Sequence, residues 1–236
     1  MSEDKKTDKY MRPVRSFVLR QGRLTKGQDD ALQRLWPEFG IERGDSVLEM
    51  DNLFENDNPI TLEIGFGDGV SLATMAANAP EQNFIGIEVH RPGVGRILHL
   101  IEENNLTNLR VMDDDAVQII KNRIPNVSLD RVHLYFPDPW HKKRHNKRRI
   151  VQDDFVKLIA SKLSDNGVFH LATDWEEYAE HMAEVMEASA DFTSQAETPY
   201  SPKPEARPTT KFETRGIKLG HGVWDLLYQK VQSRTK

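Results

Sequence analysis

Residues 60–69 read ITLEIGFGDG. Apolar and β-favouring side chains run from Ile60 to Ile64, glycines fall at 65, 67 and 69, and the small-residue stretch VSLATMAAN follows at 70–78. A strand, a tight turn and a helix in that order open an α/β unit. Outward from it the same alternation repeats: NFIGIEV then 92–104, LRVM then 115–123, RVHLYF then 150–163, VFHLATD then 175–189. Val94, Ile97, Leu98 and Ile101 follow i, i+3, i+4, i+7, one buried stripe, and Tyr178, Met182, Val185 and Met186 repeat the arrangement. This pattern predicts an α/β fold, a parallel sheet wrapped by helices. GVWDLLYQKV (222–231) reads as a strand reached without a crossover helix, hence as an antiparallel addition. Upstream, Thr25 and Gln28 have the spacing of a capping box, predicting a helix through Ala31, Leu32, Leu35 and Trp36 that Pro37 ends. Residues 38–58 read as an acidic connection, and residues 1–24 as a mobile basic arm ahead of a single domain over 25–236.

Composition agrees with one folded unit. Hydrophobic residues make up 38% of the 236, with 14 glycines beside them, near the range of globular proteins. There is no cysteine, which excludes a disulfide framework, a thiol nucleophile, an iron–sulfur cluster and cysteine-ligated zinc. The opening MSEDKKTDKY lacks the apolar stretch of a signal peptide. The longest uncharged run, Gly69 to Pro80, is short of the ~20 apolar residues that a membrane span needs. A soluble, cytoplasmic protein with no membrane partner is expected. The net charge of −5 argues against a nucleic-acid binder, but its distribution argues for one. Met11 to Gln28 holds five basic residues and no acidic one, and HKKRHNKRR at 141–149 holds six Lys or Arg. Localised positive charge on an acidic protein holds a polyanion without making the whole surface adhesive.

Open α/β sheets bind ligands beyond the carboxyl ends of their strands. Gly65, Gly67 and Gly69 stand there, but Val70 occupies the position of the third glycine in the dinucleotide fingerprint G-x-G-x-x-G. Glu63 sits in the strand end, where a carboxylate repels a pyrophosphate. A cationic ligand without phosphate fits better, and S-adenosylmethionine, with its sulfonium, ammonium and ribose, is one. Glu88 ends the second strand, placed to grip ribose hydroxyls and with no role in the core; Asp115 closes the third, suited to an adenine amino group. Each feature alone is equally a strand–helix turn or a helix-start carboxylate; three acids at successive strand ends favour a nucleoside pocket. In RVHLYFPDPW (131–140), Asp138 lies between two prolines, whose fixed φ holds its carboxylate on a stiff stalk. A rigid surface turn is the alternative.

LEIGFG, GIEVHRPGVG, FPDPWHKKRHNKRR, ATDW, RPTTKFETRG and LGHGVWDL resemble the bacterial tRNA (guanine-N7)-methyltransferase family, over about Arg15 to Val231. The resemblance implies a Rossmann-like class I methyltransferase fold with a seven-stranded, mostly parallel sheet. It assigns Glu63, Gly65, Glu88, Asp115 and Asp138 to the methyl donor S-adenosylmethionine, with Asp138 also catalytic. It places Lys142, Asp174, Thr210, Lys211, Phe212 and Glu213 on substrate, and Arg144, His145, Asn146, Lys147, Arg148 and Arg149 on RNA. The implied reaction methylates N7 of the guanine at position 46 in the variable region of tRNA.

The chemistry is consistent with those residue types. N7 carries a lone pair and no proton, so positioning and electrostatics suffice without a general base. N7 must stay open during transfer, so recognition falls to the guanine N1–H and amine, which suit Asp174 or Glu213; Phe212 is placed to stack on the base. His141 and His145 are at i, i+4, but no Glu follows His141 and cations surround both, so no metal is expected. A small-molecule methyltransferase has no use for HKKRHNKRR, and a non-catalytic RNA-binding protein has none for Glu63, Glu88 and Asp115 together. An NAD-dependent enzyme is disfavoured by the glycine spacing. With donor and RNA motifs on one chain, no obligatory protein subunit is expected, and a monomer or homodimer suffices.

Overall fold

Each strand expected between residues 60 and 174 forms, because alternate side chains find an apolar layer on both faces of the sheet. The computed structural model describes Ser16, Phe17 and residues 22–232, so most of the expected arm lies outside the described residues. β1 (Ile60–Ile64), β2 (Asn83–Ile87), β3 (Leu109–Met112), β4 (Leu129–Tyr135) and β5 (Leu163–Thr173) are parallel to one another. β7 (Trp224–Lys230) runs antiparallel to both β5 and the short β6 (Phe192–Ser194). The sheet order is β3-β2-β1-β4-β5-β7-β6. Of these strands only β6, three residues long, had no legible pattern.

The helices divide between the faces. α1 (Lys26–Phe39), α2 (Val70–Asn78) and α3 (Arg91–Glu103) pack Leu32, Leu72, Val94, Ile97, Leu98 and Ile101 with Phe84, Leu109 and Val111. α4 (Ala116–Asn122), α5 (Asp153–Lys162) and α6 (Glu176–Glu187) pack Ile119, Ile120, Phe155, Ile159 and Met182 on the other face, with Leu62, Ile64, Ile85 and Val132. Each such side chain contributes about 1.5–3 kcal/mol on burial. Among the described residues, no helix is long and apolar enough to cross a membrane.

Two local expectations need correction. The capping box at Thr25 forms as expected, but α1 continues through Pro37 to Phe39. Gly40 N–H donates to Trp36 O at 2.8 Å, so helical bonding resumes beyond Pro37, which lacks an N–H of its own. The connection at 38–58 is also more than a spacer, since it buries Ile41, Leu48 and Phe54 in the core. A seventh helix, α7 (Lys211–Lys218), occupies a stretch read only as a motif.

Candidate active site

The first three strand ends build one side of a cleft. Gly65 and Gly67 adopt φ of 74° and 64°, a left-handed conformation open to glycine at little cost. The turn then comes so close to α3 that a Cβ on Gly93 would stand 2.0 Å from Gly67 O. Glu88 fastens this turn: Oε2 accepts from Gly67 N–H at 2.9 Å, and Oε1 accepts from Val89 and His90 N–H at 2.7 and 2.9 Å. Glu88 was expected to have no role in the core; outside the core, its carboxylate organises the loop and the entry to α3. Asp115 caps α4, accepting from Val117 N–H at 3.0 Å. Glu63 is 3% exposed, and among the described residues its Oε2 has no hydrogen-bond partner. Burial, then the neighbouring Glu88, pushes its carboxyl up to about 8.

The opposite side begins where β4 ends. Phe136 and Trp140 hold φ of 51° and 48°, strained values for bulky side chains, with Pro137, Asp138 and Pro139 between them. Three bonds fix this loop. Phe136 N–H donates to Ala172 O at 2.7 Å, Trp140 Nε1–H to Ser16 O at 3.0 Å, and Arg149 Nε–H to Pro139 O at 2.9 Å. Asp138 is left exposed at the apex.

The basic run follows as a short 3-10 segment, Lys143–Arg148. Lys142, Arg144 and Lys147 are exposed, His145 and Asn146 half-buried. Arg148 lies over the Trp140 ring at 3.7 Å. Arg149 does not belong with the surface cations: it is 4% exposed, its guanidinium 4.9 Å from the Tyr178 ring centroid. Its place on an RNA-facing surface is corrected to that of a loop anchor.

Helix α7 forms a wall between the two sides. Thr210 caps it, Oγ1 accepting from Glu213 N–H at 3.1 Å. Lys211 Nζ meets Asp68 of the glycine turn at 2.8 Å. Phe212, 46% exposed, faces Phe136 at 6.5 Å between ring centroids and 24° between planes. Glu213 is buried and held by Arg207 and Lys203 at 2.7 and 2.9 Å. Asp174 lies beneath the helix, where a Cβ on Gly216 would stand 2.9 Å from its Oδ2.

Gly65, Glu88, Asp115, Asp138 and Phe212 line one cleft together with Ser16 and Phe17, and Glu63, Thr210 and Lys211 line its extension under α7. Lys147, Arg148 and Arg149 border an adjoining groove that shares Asp115. Lys142, Arg144, His145, Asn146, Asp174 and Glu213 lie outside these linings. Sequence reading missed Ser16 and Phe17 as lining residues, and missed the buried Arg207 that holds Glu213.

An acid-lined cleft with an unpartnered carboxyl oxygen, and open space where a Cβ on Gly65 would stand, fits a cationic nucleoside. A family model described as "Putative methyltransferase" matches residues 57–226. The tRNA (guanine-N(7)-)-methyltransferase of Alcanivorax borkumensis is 59% identical over 229 residues, 97% of this chain and 96% of that one. The protein of the same description from Klebsiella pneumoniae is 58% identical over 223 residues, 94% and 93% of the two chains. The solved 16S rRNA methyltransferase KamB superposes with a TM-score of 0.60 at 15% identity, over 81% of this chain and 96% of that one, a likeness of fold. The seven-stranded sheet, parallel but for β7, is the Rossmann-like class I methyltransferase fold. With relatives more than half identical along nearly its whole length, this chain belongs to the tRNA (guanine-N(7)-)-methyltransferase family.

Proposed function

We propose that this chain transfers a methyl group from S-adenosylmethionine to N7 of a guanine in tRNA, at position 46 of the variable region, in the cytoplasm and without an obligatory protein subunit. The observation that carries the reading is the shared cleft: nucleoside-type acids on one side, the rigid Pro137–Asp138–Pro139 loop on the other, and exposed cations directly after it. Bound there, the donor supplies a methyl group activated on a sulfonium. Glu88 and Asp115 have lone pairs left for ribose hydroxyls and an adenine amine, and Glu63 offers its unpartnered oxygen to a cationic or donor group. N7 has no proton to lose, so the chain's task is alignment and charge stabilisation. The Asp138 carboxylate stands where positive charge passes from donor to base. Phe212 offers a face for the base, and Lys142, Arg144 and Lys147 offer charge to phosphates.

The reading is tested by incubating the protein with methyl-labelled donor and unmodified tRNA and digesting the product to nucleosides. Label in N7-methylguanosine is expected. Label in another nucleoside, or none despite bound donor, overturns it.

A further inference from the structure

We propose that Arg207, which opens the RPTTKFETRG stretch but to which the resemblance assigns no role, is a positioning residue for methyl transfer: from a buried site it ties the α7 wall of the cleft to the strand that leads into the Asp138 loop. The proposal rests on the methyltransferase reading above.

The pleat sets up the site. Side chains alternate along a strand, so Glu63, His133, Tyr135, His170 and Asp225 share one face of β1, β4, β5 and β7. The register puts Glu63 beside His133, His133 beside His170, and Tyr135 and Asp225 on either side of Ala172. All five are buried. Helices α1–α3 lie over β1–β3 of this face, and the segment leading into α7 covers the rest.

Arg207 joins that cover to the sheet. It is 2% exposed, and its planar fork donates from Nε and Nη2 to Asp225 Oδ1 and Oδ2 at 2.6 and 2.8 Å. Nη1 donates to Glu213 Oε2 at 2.7 Å. Asp225 Oδ1 also meets His170 Nε2 at 2.7 Å, and His170 Nδ1 meets the Tyr135 hydroxyl at 2.9 Å. Burial holds His170 below its ordinary value despite Asp225, so the ring is neutral. One arrangement then satisfies both bonds: Nε2–H donates to Asp225, and the Tyr135 hydroxyl donates to Nδ1. Burial pushes the Asp225 carboxyl up, but the bonds from His170 and Arg207 outweigh it and bring it below its ordinary value.

The chain of bonds runs Tyr135–His170–Asp225–Arg207–Glu213. It begins three residues before Asp138 and ends in the first turn of α7, whose Lys211 and Phe212 line the cleft with their cap Thr210. A bidentate guanidinium–carboxylate pair fixes direction as well as distance, which a lysine does not. Methyl transfer requires reacting groups in near-attack geometry, and a misplacement of about 1 Å costs about 100-fold in rate.

Three measurements on the full chain test this: amide hydrogen exchange in α7, donor affinity by calorimetry, and single-turnover methyl transfer to tRNA. In Arg207→Gln, exchange across residues 211–218 should accelerate, donor affinity should hold, and the rate should fall about 100-fold. Arg207→Lys keeps the charge without the fork and should lie between that variant and wild type; it decides the matter if the glutamine variant does not fold. Unchanged α7 exchange and rate in a folded variant overturn the proposal. So does a joint loss of donor affinity and of protection throughout the sheet, which marks a purely structural role. Exchange needs no RNA, so a wild-type chain that transfers no methyl to tRNA overturns the functional reading separately.

Discussion

The two sides of the cleft are built by different means. On the donor side, Glu88 and Asp115 are organised by backbone amides close to them in sequence or in the adjoining turn: Glu88 by Val89, His90 and Gly67, Asp115 by Val117. On the acceptor side, the groups that place the walls come from far apart. His170 and Asp225 are 55 residues apart, and Trp140 reaches back to Ser16 across 124. The proposed nucleoside pocket is made of adjoining βα turns, two of them tied together by Glu88. The acceptor side is complete only when β7 and the segment before α7 have docked. Substitutions on the donor side should therefore change ligand affinity, and those on the acceptor side should change rate or RNA binding.

The largest break in that comparison is expected at Asp138. Asp138→Asn is nearly isosteric and removes a charge beside the proposed reacting centre. Single-turnover rates at saturating tRNA and donor should fall roughly 100- to 1,000-fold, with tRNA and donor affinities much less changed. A near wild-type rate would reduce Asp138 to a turn residue. Next in size, Glu88→Ala should weaken donor binding by about 1.5–3 kcal/mol in calorimetric titration. Because three backbone amides lose their acceptor as well, its melting temperature should also drop. Retained donor affinity would move the nucleoside elsewhere.

A smaller effect is expected from the basic run. Arg144→Ala with Lys147→Ala removes two exposed cations and leaves the packed Arg148 and the buried Arg149 in place. Binding measured across a salt series should show weaker tRNA affinity, with donor affinity unchanged. The salt slope should flatten by ~0.7–0.9 for each phosphate that is no longer neutralised. An unaltered slope would send the RNA along another surface. The last effect, on stability and not on binding or rate, concerns Glu63. Its carboxyl stands near 8 in the folded chain against 4.5 ordinarily, so between those values the folded state holds a proton that the unfolded state has released. Stability of the donor-free protein should then fall as pH rises through that window and level off above it. Glu63→Gln should flatten the fall, seen as a weaker pH dependence of melting temperature across that window. An identical pH profile in the variant would place the titration on another group.

Much of the donor side, and the Asp138 loop opposite it, was legible because their signals are local. Glycine spacing, acids at strand ends and the prolines around Asp138 all lie within a few residues of the groups they place. The acceptor side was partly hidden for a physical reason. His170 and Asp225 each sit as one polar residue within an apolar run, a pattern that equally describes a strand with one wetted face. Asp225 is paired with Arg207, which the sequence places in a Pro-rich stretch with no periodicity. Arg149 was indistinguishable from its basic neighbours until Pro139 and Tyr178 gave it partners. Pro37 misled because the next residues still found a helical acceptor.

The most direct measurement compares two tRNA transcripts that differ only at guanine 46, one natural and one carrying carbon in place of N7. Under single-turnover conditions with labelled donor, the natural transcript should be methylated, and the 7-deazaguanine transcript should bind with similar affinity and accept no label. Equal label in both transcripts would contradict methyl transfer to N7 at that position.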